Sequence, residues 1–240
     1  MAVTPWLAHL YTASGAVTAL ASALAVHTGD YRTGLFWLAT ATVIDATDGV
    51  LARALRVKER LPWFDGAKLD DLVDYLTCVF VPVFLIVRAE LVPPALSMWI
   101  GGAVLIASGY GFSRADAKVA TTDYFFTGFP SYWNIAALYL YVWGFSPFTN
   151  AAILALLVVL VFVPTRYVYP SRTNTWRVAT NLLAATWAMC LFMMIWRLPA
   201  VDGPWMSLSL VFPIYYLALS ARLSAAERQH RVAKRRARRS

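Results

Sequence analysis

IDATDGVLARALRVKERLPWFDGAKLDDLVDYL, residues 44–76, is the stretch around which this 240-residue chain is organised. It joins the end of one apolar run to the start of the next through a basic loop. The first run contains Asp45 and Asp48, and the second contains Asp70 and Asp74. A carboxylate within a membrane-length apolar segment costs about 2.5–3.5 kcal/mol on insertion scales, so such residues usually have a function.

The spacing of these aspartates places them on two helix faces. Residues three or four positions apart lie on the same side of an α-helix, which groups Asp45 with Asp48 and Asp70 with Asp74. Two helices joined by the basic loop would bring the four carboxylates together near the membrane surface. There they repel one another unless cations lie between them or some are protonated. Because hard divalent ions prefer oxygen ligands, the pattern predicts a site for Mg²⁺ or Mn²⁺.

The composition indicates a protein that crosses the membrane several times. Hydrophobic residues make up 60% of the chain and the mean hydropathy is +0.57, which is too apolar for a soluble core. Apolar runs of spanning length predict an all-α fold with about eight transmembrane helices. The predicted ranges are 5–27, 34–54, 68–89, 94–113, 132–147, 149–169, 176–196 and 204–223. We expect residues 1–223 to form one transmembrane domain and residues 224–240 a basic tail.

The basic residues predict the orientation in the membrane. Of the 21 lysines and arginines, only Arg32, Arg88 and Arg197 fall on one side of the predicted helices. Because basic loops stay on the cytoplasmic side, both termini and the acidic site are expected to face the cytoplasm. The tail RQHRVAKRRARRS is expected to bind anionic lipid headgroups, which attract it by about 1 kcal/mol per basic residue. We do not expect it to bind nucleic acid.

One sequence motif resembles a known family. Asp45-x2-Asp48-Gly49-x2-Ala52-Arg53, followed by Gly66-x3-Asp70-x3-Asp74, is similar to the signature of the CDP-alcohol phosphatidyltransferases. These membrane enzymes join an alcohol to a phosphatidyl group carried by a cytidine diphospho-lipid and release CMP. The match departs at residues 54–65, an interval longer than in most of the family. That interval, with HLYTASGAV (9–17) and DYFFTGFPSYWN (123–134), resembles the bacterial phosphatidylcholine synthase branch.

The resemblance implies a role for each motif residue. Asp74 would be the general base that takes the proton of the acceptor hydroxyl. Two Mg²⁺ or Mn²⁺ ions would be held by Asp45, Asp48, Asp70 and Asp74. The nucleotide would lie against Asp48, Gly49, Ala52, Arg53 and Gly66. From the residues alone, the small side chains could equally serve helix packing, and Arg53 could be an interfacial charge.

Three residues of the first predicted helix have two interpretations. His9, Thr12 and Ser14 could approach the nucleotide, and helix packing would explain them equally well.

The resemblance to that branch implies choline as the acceptor. Eight of the 24 residues from Tyr110 to Trp133 are aromatic, about twice the 15% of the whole chain. Quaternary ammonium groups have no N–H and are bound by aromatic faces, often beside a carboxylate. The candidate choline contacts are Tyr110, Asp116, Asp123, Tyr124, Phe126, Tyr132 and Trp133. Composition alone would also fit an interfacial aromatic belt without a ligand.

Other functions fit parts of the pattern. Serine, glycerol phosphate or inositol phosphate could be the acceptor within the same family. A divalent-cation transporter could use intramembrane acids, although its polar residues would be spread over several helices. Membrane prenyltransferases also use aspartate clusters, but their motifs are typically separated by several helices. The resemblance further implies a homodimer in the bacterial inner membrane, with CDP-diacylglycerol and choline as substrates.

Overall fold

The structure is a computed structural model that describes residues 4–114, 118–120, 124–168 and 175–237. Side-chain surroundings are described for residues 4–114, 127–168 and 175–225. In chain order, the elements along these residues are α1 (Thr4–His27), α2 (Tyr31–Ala54), α3 (Val57–Arg60), α4 (Gly66–Asp74), a π-helical segment (Tyr75–Phe80), α5 (Val81–Arg88), α6 (Pro94–Ser113), β1 (Lys118–Ala120), β2 (Tyr124–Thr127), α7 (Trp133–Trp143), α8 (Pro147–Phe162), β3 (Arg166–Val168), α9 (Arg177–Trp196), α10 (Trp205–Ser209) and α11 (Val211–Ala237).

Within the described residues, five stretches of helix are long and apolar enough to cross a membrane. They are α1, α2, α6, α9 and Trp205–Ala225, which covers α10 and the first part of α11. Helix α8 is apolar but shorter. Helices lie in each of the eight predicted ranges, whereas the count of eight spans and the orientation stay predictions.

The third predicted range contains a change of helix type. Helix α4 ends at Asp74, and the chain continues as a π-helical turn into α5. The Val81 N–H donates to the Leu76 carbonyl, five residues earlier, and Pro82 follows at once. Pro82 has no N–H to donate to the carbonyl of residue 78, and its ring would crowd that carbonyl in an α-helix. The π-helical segment between α4 and α5 therefore accommodates Pro82 without the clash that an α-helical turn would cause.

Two predicted helix ends need correction. The range predicted to reach residue 169 ends as α8 at Phe162, because residues before Pro164 disfavour helical geometry. The range predicted to reach residue 147 ends as α7 at Trp143, where Gly144 takes φ +60°. Glycine adopts this left-handed conformation without the steric cost that other residues meet. At the other end of the chain, α11 continues to Ala237, through most of the predicted tail.

A small antiparallel sheet, not included in the all-α prediction, accompanies the helices. Strand β2 lies in the middle, with Val119 of β1 opposite Phe125 and Tyr167 of β3 opposite Phe126. Gly128 follows β2 at φ +86°, and its N–H donates to the Thr165 carbonyl at 2.8 Å. A Cβ at this position would lie 2.4 Å from the Val161 carbonyl oxygen, so the turn requires glycine.

The chain divides into two compact units. One comprises Met1–Phe112 and Ser131–Val158, and the other comprises Ser113–Pro130 and Val159–Ser240. The first unit contains the four aspartates predicted to bind metal. Its helices approach closely at glycine: a Cβ on Gly15 of α1 would lie 2.5 Å from Val73 Cγ1 of α4. Small residues permit such backbone approach between membrane helices.

Candidate metal and nucleotide site

Three of the four predicted metal ligands lie together. Asp45 of α2 and Asp70 and Asp74 of α4 each offer a carboxylate oxygen, and these oxygens are all within 4.8 Å of one another. Asp45 is exposed, whereas Asp70 and Asp74 are half-buried. Because like charges this close destabilise one another, a cation between them would stabilise the cluster.

Asp48, the fourth predicted ligand, lies in different surroundings. It follows Asp45 by one turn of α2, but it is buried, with 7% of its surface exposed. Its Oδ2 accepts a hydrogen bond of 2.7 Å from the Thr12 hydroxyl of α1. Among the described residues, the three-carboxylate cluster does not include Asp48. Asp48 thus differs from the other three carboxylates in its greater burial and in lying outside their cluster.

The start of α4 sets the position of Asp70 and Asp74. Asp65 is the N-cap, and its Oδ1 accepts hydrogen bonds from the N–H groups of Ala67 at 3.1 Å and Lys68 at 3.2 Å. Capping satisfies donors that the first helical turn leaves unpaired. The long interval at residues 54–65 contains the short helix α3 (Val57–Arg60) and then a turn that ends at the Asp65 cap.

The predicted nucleotide residues lie at the ends of these helices. A Cβ on Gly49 would lie 3.3 Å from Arg53 Nη1, so the arginine lies over the glycine one turn away. Ala52 is half-buried and Arg53 is exposed. A Cβ on Gly66 would lie 2.7 Å from His9 Cε1, so this glycine lets α1 approach the start of α4.

An aromatic cluster lies beside Gly66, and of its members only His9 was among the candidate residues of the sequence analysis. The His9 ring lies 4.3 Å from the Phe64 ring and 5.9 Å from the Trp6 ring, and Trp63 lies 5.6 Å from Trp6. His9 is buried, and within the described chain its Nε2 has no hydrogen-bond partner. Trp6, Trp63 and Phe64 were missed, because α1 and the residues before Gly66 are far apart in the sequence. Ser14, the third polar candidate in α1, donates to the Tyr11 carbonyl within its own helix.

The candidate choline contacts lie in unlike surroundings. Tyr110 and Tyr132 are 46% and 38% exposed. Trp133 is fully buried, and its Nε1–H donates to the Ser108 hydroxyl at 2.7 Å. The structure places the backbone of Tyr124 and Phe126 in β2, and their side chains lie outside the described surroundings. Asp116 and Asp123 lie outside the described residues.

Comparison with known proteins identifies relatives that cover most of the chain, although no protein-family model matches it. A phosphatidylcholine synthase from Legionella pneumophila is 39% identical over 222 residues, which is 90% of this chain and 86% of that protein. Another from Pseudomonas aeruginosa is 34% identical over 221 residues, 90% and 92% of the two chains. A third from Borreliella burgdorferi is 35% identical over 178 residues, 74% and 75% of the two chains. With such identity over most of its length, the chain belongs to the phosphatidylcholine synthase family.

Proposed function

We propose that this protein transfers a phosphatidyl group from CDP-diacylglycerol to choline, forming phosphatidylcholine and CMP. The observation that carries the proposal is the cluster of Asp45, Asp70 and Asp74 in a chain that belongs to the phosphatidylcholine synthase family. The five membrane-length helical stretches in the described part of the chain suit an enzyme whose donor is a lipid.

The carboxylate cluster fits a hard divalent cation. Mg²⁺ binds oxygen ligands at about 2.0–2.1 Å, so ligands on opposite sides of one ion are about 4 Å apart. Oxygens within 4.8 Å of one another are compatible with that distance. We assign Asp45, Asp70 and Asp74, with Asp48 as the fourth ligand, to two Mg²⁺ or Mn²⁺ ions. Such ions, when bound, neutralise phosphate oxygens and the charge on the leaving CMP.

The side chains of the site have separate roles in the reaction. The choline oxygen attacks the phosphorus nearest the diacylglycerol, while the Asp74 carboxylate takes the hydroxyl proton. The bond from that phosphorus to the bridging oxygen breaks, and CMP leaves with the electron pair. The nucleotide is held by Asp48, Gly49, Ala52, Arg53 and Gly66. The guanidinium beside Gly49 supplies positive charge. The small side chains of Gly49 and Ala52 would let the nucleotide approach the α2 backbone closely.

The acceptor would be recognised by aromatic faces. Choline carries its charge on a quaternary nitrogen without N–H donors, so ring faces attract it more effectively than hydrogen-bond acceptors can. Among the candidates, Tyr110 and Tyr132 support this role best, because both rings are partly exposed. The sequence pattern alone supports a group of four further candidates: Asp116, Asp123, Tyr124 and Phe126. The full burial of the fifth, Trp133, favours a role in packing.

The proposal places this reaction at the cytoplasmic face of the bacterial inner membrane. Eight spans with both termini in the cytoplasm would account for the strong asymmetry of the basic residues. The basic end of the chain would contact anionic lipid. We further propose a homodimer, as the family resemblance implies.

An acceptor panel tests the function. Purified full-length protein in detergent is given CDP-diacylglycerol and Mn²⁺ or Mg²⁺, with choline, ethanolamine, serine, glycerol 3-phosphate or inositol phosphate. We expect CMP release and a new phospholipid with choline, neither of which should occur with Asp45→Asn or in excess chelator. A preference for another alcohol would contradict the choline assignment. Mn²⁺ uptake into vesicles without CMP release would instead support a transporter.

A further inference from the structure

Two neighbouring residues of α1 reach across to α2 beside the acidic site. The Tyr11 hydroxyl lies 2.8 Å from the Thr47 hydroxyl, and the Thr12 hydroxyl donates to Asp48 Oδ2 at 2.7 Å. Thr47 also lies 2.7 Å from the carbonyl of Val43 in its own helix. These bonds are alike in length and in the helices they join, but only one ends on a carboxylate.

The bond to Asp48 differs in strength from an ordinary contact between helices. A hydrogen bond to an ionised acceptor is shorter and about twice as strong as one between neutral groups. Asp48 is 7% exposed in an apolar helix, where an unpaired carboxylate would be strongly disfavoured. Thr12 Oγ1 lies farther, at 3.3 Å, from the Ala8 carbonyl of its own helix. The hydroxyl is therefore directed at the carboxylate.

We propose that Thr12 is a positioning residue, which holds the Asp48 carboxylate in the orientation that completes the metal site. The inference rests on the proposed function, in which Asp48 is a metal ligand. By engaging Oδ2, Thr12 limits rotation of the carboxylate and leaves Oδ1 for the cation. Groups that hydrogen-bond to metal ligands typically contribute about 10- to 100-fold to metal affinity or activity.

Substitutions at two adjacent positions separate this role from helix packing. Thr12→Val keeps the shape of the side chain and removes the hydroxyl, whereas Thr12→Ser keeps the hydroxyl. Tyr11→Phe is the matched control, because it removes a neighbouring α1–α2 hydrogen bond without touching a carboxylate. All variants are made in the full-length chain and purified in the same detergent.

Mn²⁺ binding provides a readout that does not depend on turnover. Free Mn²⁺ is measured by electron paramagnetic resonance during titration of the protein. We expect Thr12→Val to weaken Mn²⁺ binding about tenfold or more. Thr12→Ser and Tyr11→Phe should bind Mn²⁺ like the wild type. In the kinetic assay, Thr12→Val should raise the Mn²⁺ concentration for half-maximal activity and leave the choline KM unchanged.

Several results would overturn the inference. They are wild-type Mn²⁺ affinity in Thr12→Val, equal weakening in Thr12→Ser, or equal weakening in Tyr11→Phe. Should the valine variant not fold, Thr12→Ala carries the same comparison. In an Asp48→Asn background, Thr12→Val should cause no further loss, and a fully additive loss would count against positioning through Asp48. If the wild type binds Mn²⁺ but makes no phosphatidylcholine, the proposed function fails while the binding comparison still tests Thr12.

Discussion

The acidic segment Asp45–Asp74 and the aromatic segment Tyr110–Trp133 were both predicted to bind substrate groups. In the structure, the predicted residues of the two segments differ in how they are arranged. Within the acidic segment, Asp45, Asp70 and Asp74 converge across two helices. Within the aromatic segment, two of the candidate rings are partly exposed while Trp133 is fully buried.

The difference reflects what each prediction rested on. The acidic prediction used helical spacing, which directly determines the face on which a side chain lies. The aromatic prediction used composition and the branch resemblance, neither of which distinguishes a ligand-facing ring from a ring in the core. The Trp133 indole donates a hydrogen bond to Ser108 and packs as a core residue, although the adjacent Tyr132 is partly exposed.

The largest effect is expected for the proposed base. Asp74→Asn should lower kcat about 100- to 10,000-fold, because general base catalysis contributes that much. Asp45, Asp48 and Asp70 still hold the metal in this variant, so binding of CDP-diacylglycerol should persist in an equilibrium binding assay. Normal turnover in this variant would show that another group takes the proton.

Loss of a metal ligand should have the next largest effect. Asp45→Asn and Asp70→Asn should each lower kcat/KM about 100-fold or more. Each substitution removes a negative charge that helps to hold the metal, and a bound metal stabilises the transition state by several kcal/mol. Asp71→Asn is the matched control, since Asp71 lies in α4 outside the three-carboxylate cluster. Equal losses of kcat/KM in Asp70→Asn and Asp71→Asn would contradict a specific role for the three-carboxylate cluster.

In the aromatic segment, Trp133 should affect stability more than catalysis. Trp133→Phe leaves the buried Ser108 hydroxyl without its donor, which costs about 1–3 kcal/mol of unfolding free energy. Thermal unfolding in detergent should therefore shift to lower temperature, with little change in the choline KM of the folded fraction. A large increase in choline KM at unchanged stability would instead place Trp133 against the substrate.

The smallest effect is expected at the exposed tyrosines. Tyr110→Leu or Tyr132→Leu should raise the choline KM about tenfold at one or both positions, because a cation–π contact contributes about 0.5–2 kcal/mol. The KM for CDP-diacylglycerol and the thermal stability should change little. Trp99→Leu, at a ring 78% exposed in α6, is the control for removing any exposed aromatic. If it matched the tyrosine variants, the aromatic segment would have no specific role in choline binding.

Local features were the ones that sequence could predict. The ends of α1, α2, α6 and α9 lie within three residues of the predicted ranges, because apolar run length and turn residues are encoded locally. The π-helical segment and the end of α8 also had local causes, in Pro82 and Pro164. The sheet was missed because three strands of three or four residues are too short to show a clear period.

The sequence by itself determined the membrane character, the helical spacing of the four aspartates and the resemblance to the family. These follow from hydropathy and from the i, i+3 and i, i+4 geometry of a single helix. Only the tertiary structure decided that Asp45 joins Asp70 and Asp74 while Asp48 is buried against Thr12. That bond joins residues 36 positions apart. Its existence depends on how α1 and α2 are rotated against each other, which packing of side chains across the interface determines and local periodicity does not.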